Sequence, residues 1–209
     1  MVDIHTHLLP QVDDGSASRN ESDSFLDAYA DAGFTHIVCT PHLHHPAIPT
    51  RIDRIREEYL RLKESGAKRS LTLVLGSELY VSGPDVQKAV PFFKRFQLVE
   101  FHAQIMPLFI MDACFSLQVQ GFTVVIAHVD RYRWFSVRTP EVKRLKEMGV
   151  LFQVNLNALS TPLAKDLLEL GWIDFIATDH HGTARAVPDL SLFSSYREIM
   201  DRGKAILGL

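Results

Sequence analysis

Short apolar runs rich in β-branched residues recur along the chain and alternate with stretches whose apolar residues fall at helical spacing. The runs "MVDIHTH", "THIVCTPH", "LTLVLGSELY", "QLVEFH", "FTVVIAHV", "VLFQVNL" and "DFIATDHH" make seven candidate strands. Helices are predicted over 20–32, 51–65, 84–95, 109–120, 139–148, 161–170 and 189–207. In 51–65, Ile52, Ile55, Tyr59 and Leu60 recur at helical spacing, and Gly66 marks the expected stop. Strand and helix in alternation imply a parallel sheet with right-handed crossovers. A near-continuous apolar run such as "FTVVIA" suits a strand covered on both faces. Seven repeats within 209 residues predict a closed or nearly closed β/α barrel, with a doubly wound open sheet as the alternative. Without a repeat, low-complexity tract or linker, residues 1–209 are expected to form one domain.

The polar residues that interrupt this pattern are placed regularly. Six of the seven runs finish with a group able to ligate a metal: His5 and His7 on the first, His42 after the second, Glu78 after the third, Glu100 on the fourth, His128 on the fifth, Asp179 and His181 on the seventh. In a parallel barrel the carboxyl ends of the strands open onto one mouth, so these residues would meet although they are far apart in sequence. Residues i and i+2 of a strand share a face, pairing His5 with His7 and Asp179 with His181. One H-x-H pair is weak evidence. Several such groups buried at one rim without cations would cost several kcal/mol per unpaired charge, whereas mixed imidazole and carboxylate ligands suit Mn, Fe or Zn. His44 and His45 follow in a proline-bounded loop and read as solvated rim residues, His36 belongs at the far end of its strand, and His180 should point away from its neighbours. His102, two residues after Glu100, is a candidate acid/base or supporting group near the mouth.

Composition narrows the function classes. Formal charge is −3, from 22 basic and 25 acidic residues spread without blocks, which leaves no electrostatic footprint for nucleic acid. No stretch approaches the ~18 apolar residues of a membrane span, and Asp3, His5 and His7 stand where a signal peptide would need a basic patch and an apolar run. Cys39 and Cys114 sit in apolar surroundings, as packing thiols of a reducing compartment do, so a cytoplasmic protein is expected.

"DIHTHLLPQVDDG", "TPHLHH", "GSELY", "VEF", "IAHVDRY", "QVN" and "ATDHH", in this order from residue 2 to about residue 188, resemble the motifs of the PHP (polymerase and histidinol phosphatase) superfamily, and within it the capsule-operon CpsB-type tyrosine-protein phosphatases. The "DDG" after H-x-H and the glutamate at Glu100 stand where many relatives carry histidine, and both resemble the tyrosine-phosphatase branch. The resemblance implies a distorted seven-stranded (β/α)7 TIM-like barrel holding three divalent ions, manganese first, with iron or zinc as alternatives. Carried over residue by residue, it implies that His5, His7, Glu78 and Asp179 hold one ion. Glu78 would bridge to a second held by Glu100 and His128, and Asp14, with Asp13 as the alternative, would join His42 and His181 at a third. It also implies a phosphotyrosine protein substrate, the tail of a bacterial tyrosine kinase that controls capsular or exopolysaccharide synthesis.

Four ligand carboxylates and three divalent ions would leave the pocket positive and draw in an anionic ester. The chemistry expected is hydrolysis of a phosphate monoester by a metal-activated hydroxide. Arg131 in "HVDRY" and Arg185 in "HGTARAVP" are candidates to fork onto the phosphate oxygens. A phenol leaves with a pKa near ~10, so little acid assistance is needed. The alternatives are a small-molecule phosphoesterase acting on a substrate such as histidinol phosphate, an amidohydrolase, which would require a bridging lysine not evident at a strand end, and a metal-binding regulatory barrel without turnover.

Overall fold

The computed structural model describes residues 1–209. Nine strand segments follow in chain order: β1 (Val2–Thr6), β2 (His36–Cys39), β3 (His42–Leu43), β4 (Thr72–Leu75), β5 (Glu78–Tyr80), β6 (Phe96–Glu100), β7 (Thr123–Ile126), β8 (Leu151–Asn155) and β9 (Phe175–Ala177). The helices between and after them are α1 (Arg19–Asp31), α2 (Ile52–Ala67), α3 (Ile110–Val119), α4 (Pro140–Glu147), α5 (Pro162–Glu169) and α6 (Arg197–Leu207). Strands β1-β2-β4 form one sheet and β3-β5-β6-β7-β8-β9 another, and every strand pair is parallel.

There are nine segments rather than the seven runs expected because two runs break. The run through Cys39 and His42 kinks at Thr40 and Pro41, where proline offers no amide to a ladder. The run through Leu75 and Glu78 breaks at Gly76 and Ser77. A side chain at Gly76 would come within 3.1 Å of Phe92 Cβ and 3.2 Å of Val38 Cγ1, so only glycine fits that bend without displacement. Both breaks fall just before a polar residue of the candidate site. The doubly wound open sheet is corrected too: His7 N–H donates to His180 O at 2.8 Å and Asp179 N–H to His5 O at 2.9 Å, so the sheets curl until the end of β9 meets β1.

Five of the predicted helices form within a residue or two of their expected bounds. The sixth, 84–95, does not: Pro91 would remove a helix hydrogen bond and clash with the preceding turn, and the segment instead ends in a tight turn with Phe93 and Lys94 in the left-handed region. The seventh divides into a 3-10 stretch over Leu190–Tyr196 and α6. Helix α2 also runs past the expected stop, because Gly66 leaves room for Leu73 Cδ1, 2.4 Å from where its Cβ would be.

A large apolar cluster fills the space between strands and helices, drawing on Leu26, Tyr29, Ile37, Val99, Ile126, Phe152 and Leu167. A smaller one takes Val2, Ile4, Leu98, Val125, Ala127, Phe175 and Ala177 from the inner faces of the strands, with Leu207 of α6 against them. These apolar layers leave the carboxyl ends of the strands as the place where buried polar side chains collect. No helix is long and apolar enough to cross a membrane.

Candidate metal centre

Several polar side chains of the site are delivered by local irregularities. The register of β1 against β2 slips between Asp3 and Thr6, and a bulge of this kind re-aims the residues beyond it, here His5 and His7, whose Nε2 atoms stand 3.2 Å apart. His128 and Asp179 follow directly on the ends of their apolar runs in the left-handed backbone region, with φ of 31° and 51°. Such conformations cost of order 1–3 kcal/mol and persist where the surroundings fix them, commonly at functional sites.

The side chains converge closely. Glu78 Oε2 lies 3.2 Å from His5 Nε2, 3.3 Å from His7 Nε2 and 3.0 Å from His42 Nδ1, while Glu78 Oε1 lies 2.8 Å from His128 Nε2. Glu100 stands 3.7 Å from His128 and 3.9 Å from His42. Asp179 Oδ1 is 3.4 Å from His5, 3.6 Å from His7 and 3.3 Å from His181. Asp14 Oδ1 is 3.4 Å from both His42 Nε2 and His181 Nε2. All nine residues named from the sequence therefore meet at one place. Between Asp13 and Asp14, only the latter faces this cluster; Asp13 Oδ2 instead accepts from His7 Nδ1 at 2.8 Å and from the His42 amide at 3.0 Å.

Four overlapping groups could each hold an ion: His5, Glu78 and His128; His5, His7 and Asp179; His42, Glu78 and Glu100; and His7, Asp14, His42 and His181. Within each group the ligand atoms lie within 4.8 Å of one another. Two ligands at ~2.1 Å from one cation stand up to ~4.2 Å apart, so small adjustments suffice. The donor set itself calls for cations. Glu78 Oε2, Glu100 Oε2, Asp179 Oδ1, His181 Nε2, His128 Nδ1 and both ring nitrogens of His42 are buried without a hydrogen-bond partner. Buried polar groups normally find partners, and carboxylates of one sign packed this closely require positive charge. The imidazoles supply some of it. Burial disfavours the charge on His5 and His42, yet the carboxylates around Glu78 outweigh it and lift them to about 9 and about 11. Burial and the Glu78 charge push Glu100 up to about 7, while burial and the neighbouring His7 lower His181 to about 4.

The two arginines lie at the mouth. Arg131 Nη2 is 2.9 Å from Asp179 Oδ2 and Arg185 Nη2 is 2.5 Å from Asp14 Oδ2; both side chains are about two-fifths exposed, and no other protein carboxylate engages them. His102 is not brought into the cluster. It sits on the exposed loop after β6, where its Nδ1 accepts from the Gln104 and Ile105 amides at 3.3 and 3.2 Å.

Several supporting residues escaped the sequence reading. Gln153 Oε1 accepts from His5 Nδ1 at 3.0 Å and from the His128 amide at 2.6 Å, which fixes the His5 ring with Nε2 toward the carboxylates. Gln153 Nε2 donates to Asn155 Oδ1 at 2.8 Å, and Asn155 Nδ2 donates to Asp179 Oδ2 at 3.2 Å. Two polar residues at i and i+2 inside the apolar run "FQVN" were the available signal. His45, expected from the sequence to be a solvated rim residue, instead brings its Nε2 to 3.8 Å from Glu100 Oε2 and its ring to 5.2 Å from that of His42. His180 turns away from the cluster, as alternation predicts, and its ring packs 3.9 Å from that of Phe25.

Comparison with known proteins agrees with this geometry. The tyrosine-protein phosphatase CpsB of Streptococcus pneumoniae is 29% identical over 201 residues, spanning 87% of this chain and 83% of that protein. The tyrosine-protein phosphatase YwqE of Bacillus subtilis is 27% identical over 196 residues, spanning 87% and 77%. A chain from the crystal structures of YwqE and CpsB, described as metal-dependent tyrosine phosphatases, matches with a TM-score of 0.81 at 25% identity, covering 99% of this chain and 90% of that one. Histidinol phosphate phosphatase from Lactococcus lactis shares the fold, with a TM-score of 0.57 at 16% identity over 97% and 95% of the two chains. The family profile described as "Capsular polysaccharide synthesis, CpsB/CapC" matches residues 1–202, nearly the whole length, and the chain belongs to that family.

Proposed function

We propose that the chain is a metal-dependent protein-tyrosine phosphatase, one domain over residues 1–209, whose nine strand segments act as the seven staves of a PHP-type barrel. The observation that carries this reading is the convergence of four carboxylates and five imidazoles at one buried mouth, with unpartnered ligand atoms turned toward each other and two arginines at the rim. His5, His7, Glu78 and Asp179 would hold one ion, Glu78, Glu100 and His128 a second, and Asp14, His42 and His181 a third, with manganese favoured over iron or zinc. When bound, divalent ions supply Lewis acidity that activates water and neutralises charge on the phosphoryl group.

The chain's own residues do the rest. Gln153 and Asp13 hold His5 and His7 with Nε2 inward, so that only small adjustments bring these ligand atoms onto a cation. Arg131 and Arg185, each tied through a single Nη2 to a carboxylate of the cluster, offer their remaining N–H groups to the phosphoryl oxygens. The tyrosine leaves as a phenolate of pKa ~10, so the weak placement of His102 for proton donation costs little. Neither thiol serves as nucleophile, since burial pushes Cys39 and Cys114 up to about 12. The substrate is a phosphotyrosine protein, the tail of a tyrosine kinase of polysaccharide synthesis, and the site of action is the cytoplasm. The deciding experiment is hydrolysis of p-nitrophenyl phosphate and of a phosphotyrosine peptide by the manganese-loaded protein. Turnover should disappear with chelator and in His42→Ala; failure to hydrolyse either ester with manganese, iron or zinc would refute the reading.

A further inference from the structure

The loop from Phe101 to Phe109, between β6 and α3, supplies none of the nine candidate ligands. It is pinned rather than loose: Trp134 Nε1 donates to His102 O at 2.9 Å, the Arg133 amide donates to Ala103 O at 2.9 Å, and His102 Nδ1 gathers two amides of the same loop. Yet this anchored loop presents Ile105, 69% exposed, and Leu108, 98% exposed, to solvent. Single exposed aliphatic residues are ordinary, but two on one short segment beside a cleft form a patch. The cleft is lined by Tyr80, His102, Ile105, Pro107 and Phe109 and has a volume of about 290 Å³, room for a side chain or two rather than for a large ligand.

The cleft adjoins the candidate metal centre across the His45 ring. Tyr80 stands opposite Glu100 in the β5–β6 register, its ring meets His45 edge-on at 4.9 Å, and His45 Nε2 lies 3.8 Å from Glu100 Oε2. A single imidazole therefore separates the cleft from the carboxylate. An extended chain advances ~3.3–3.6 Å per residue, so a residue two or three positions from an anchored phosphotyrosine reaches ~7–11 Å away, the span needed to pass such a ring.

We infer that this cleft receives an apolar side chain flanking the phosphotyrosine, and so selects polypeptide substrates that carry an aliphatic or aromatic residue near the modified tyrosine. The inference rests on the phosphatase reading, and its test keeps the two apart. The manganese-loaded full chain is assayed on p-nitrophenyl phosphate and on a series of phosphotyrosine peptides in which leucine replaces glycine at each of three positions on either side. For at least one position, KM is expected to fall by about 10-fold with leucine, the scale on which a pocket discriminates an apolar group. In Ile105→Asp that preference should vanish and in Ile105→Val it should remain, while kcat/KM on p-nitrophenyl phosphate stays unchanged in both. A leucine preference that survives Ile105→Asp, the lack of any preference in the wild type, or an equal loss on p-nitrophenyl phosphate would each overturn the inference and leave the phosphatase reading standing. If Ile105→Asp turns a dimer into a monomer, the patch covers a second copy of the chain and the inference is likewise overturned. No turnover of any ester would remove both.

Discussion

Gln153 shows how much of the candidate site depends on residues outside the nine candidate ligands. One amide oxygen holds the His5 ring and the His128 backbone together, and the amide nitrogen continues through Asn155 to Asp179. Removing such a partner of a ligating histidine lowers metal affinity or activity by about 10- to 100-fold. Gln153→Ala should lose that much manganese affinity, read by titration calorimetry, with an unchanged far-ultraviolet spectrum. Asp13 and Asp14 separate in the same way. Asp14→Ala should lower the number of ions retained per chain, measured by elemental analysis, whereas Asp13→Ala should keep the number and weaken the hold. The residues that end apolar runs were legible in the sequence because a charged group there breaks a visible pattern. Gln153 leaves a fainter mark, a pair of polar residues at i and i+2 inside an apolar run, and His45 leaves none, since a histidine in a loop acquires meaning only from what faces it.

At the scale of elements, the link between α1 and the segment after Asp179 matters most. Ser18 caps α1 by accepting the Glu21 amide, and the Glu21 carboxylate accepts from the amide and hydroxyl of Thr183, both at 2.6 Å, and from the Ala17 amide at 2.6 Å. Gly182, with φ of 71°, allows the chain to pass so near that a Cβ there would lie 3.0 Å from Glu21 Oε1. His181 and Arg185 flank this tie. The Thr183 bonds lower Glu21 to about 2 from an ordinary 4.5. A carboxylate with a depressed folded-state value stabilises the fold above pH 4.5 and gives up that contribution as pH falls from there toward 2. The Thr183 amide should therefore lose hydrogen-exchange protection over that window, sooner than amides in the middle of α1, and should lack it at every pH in Glu21→Ala. Helix content was readable from apolar spacing except where proline intervened, as at Pro91; the strand break at Pro41 has the same local cause, a missing amide, whereas the one at Gly76 depends on Phe92 and Val38, which lie outside the local pattern.

For the molecule as a whole, the core and the mouth divide the work of stability. The apolar layers bury both thiols, so neither Cys39 nor Cys114 should react with a thiol reagent in the native protein, and both should react on unfolding. Activity should persist after exposure to iodoacetamide, which separates this chemistry from cysteine-dependent phosphate transfer. Cations held at the mouth should add to its stability. A cation bound at a hundredfold excess over its dissociation constant adds about 2.7 kcal/mol, and a chain of this size gains about 2–4 °C per kcal/mol, so chelation should lower the melting temperature by about 5–10 °C. Calorimetry with and without chelator, and after manganese is restored, measures this. The parallel α/β architecture is legible from alternation alone; the curl that brings β9 back to β1 rests on the backbone bonds between His7 and His180 and between His5 and Asp179, which join residues too far apart in sequence for alternation to pair.

Those two bonds join residues that are synthesised far apart in time. The histidines near the start of the chain emerge from the ribosome long before residues 179–181, so a nascent polypeptide carries imidazoles with no carboxylate from the final stave to complete them. Competence should therefore wait until the last strand docks beside the first. A chain cut short before Asp179 should stay chemically silent, and synthesis itself would then act as a gate that withholds hydrolysis until translation has passed that point.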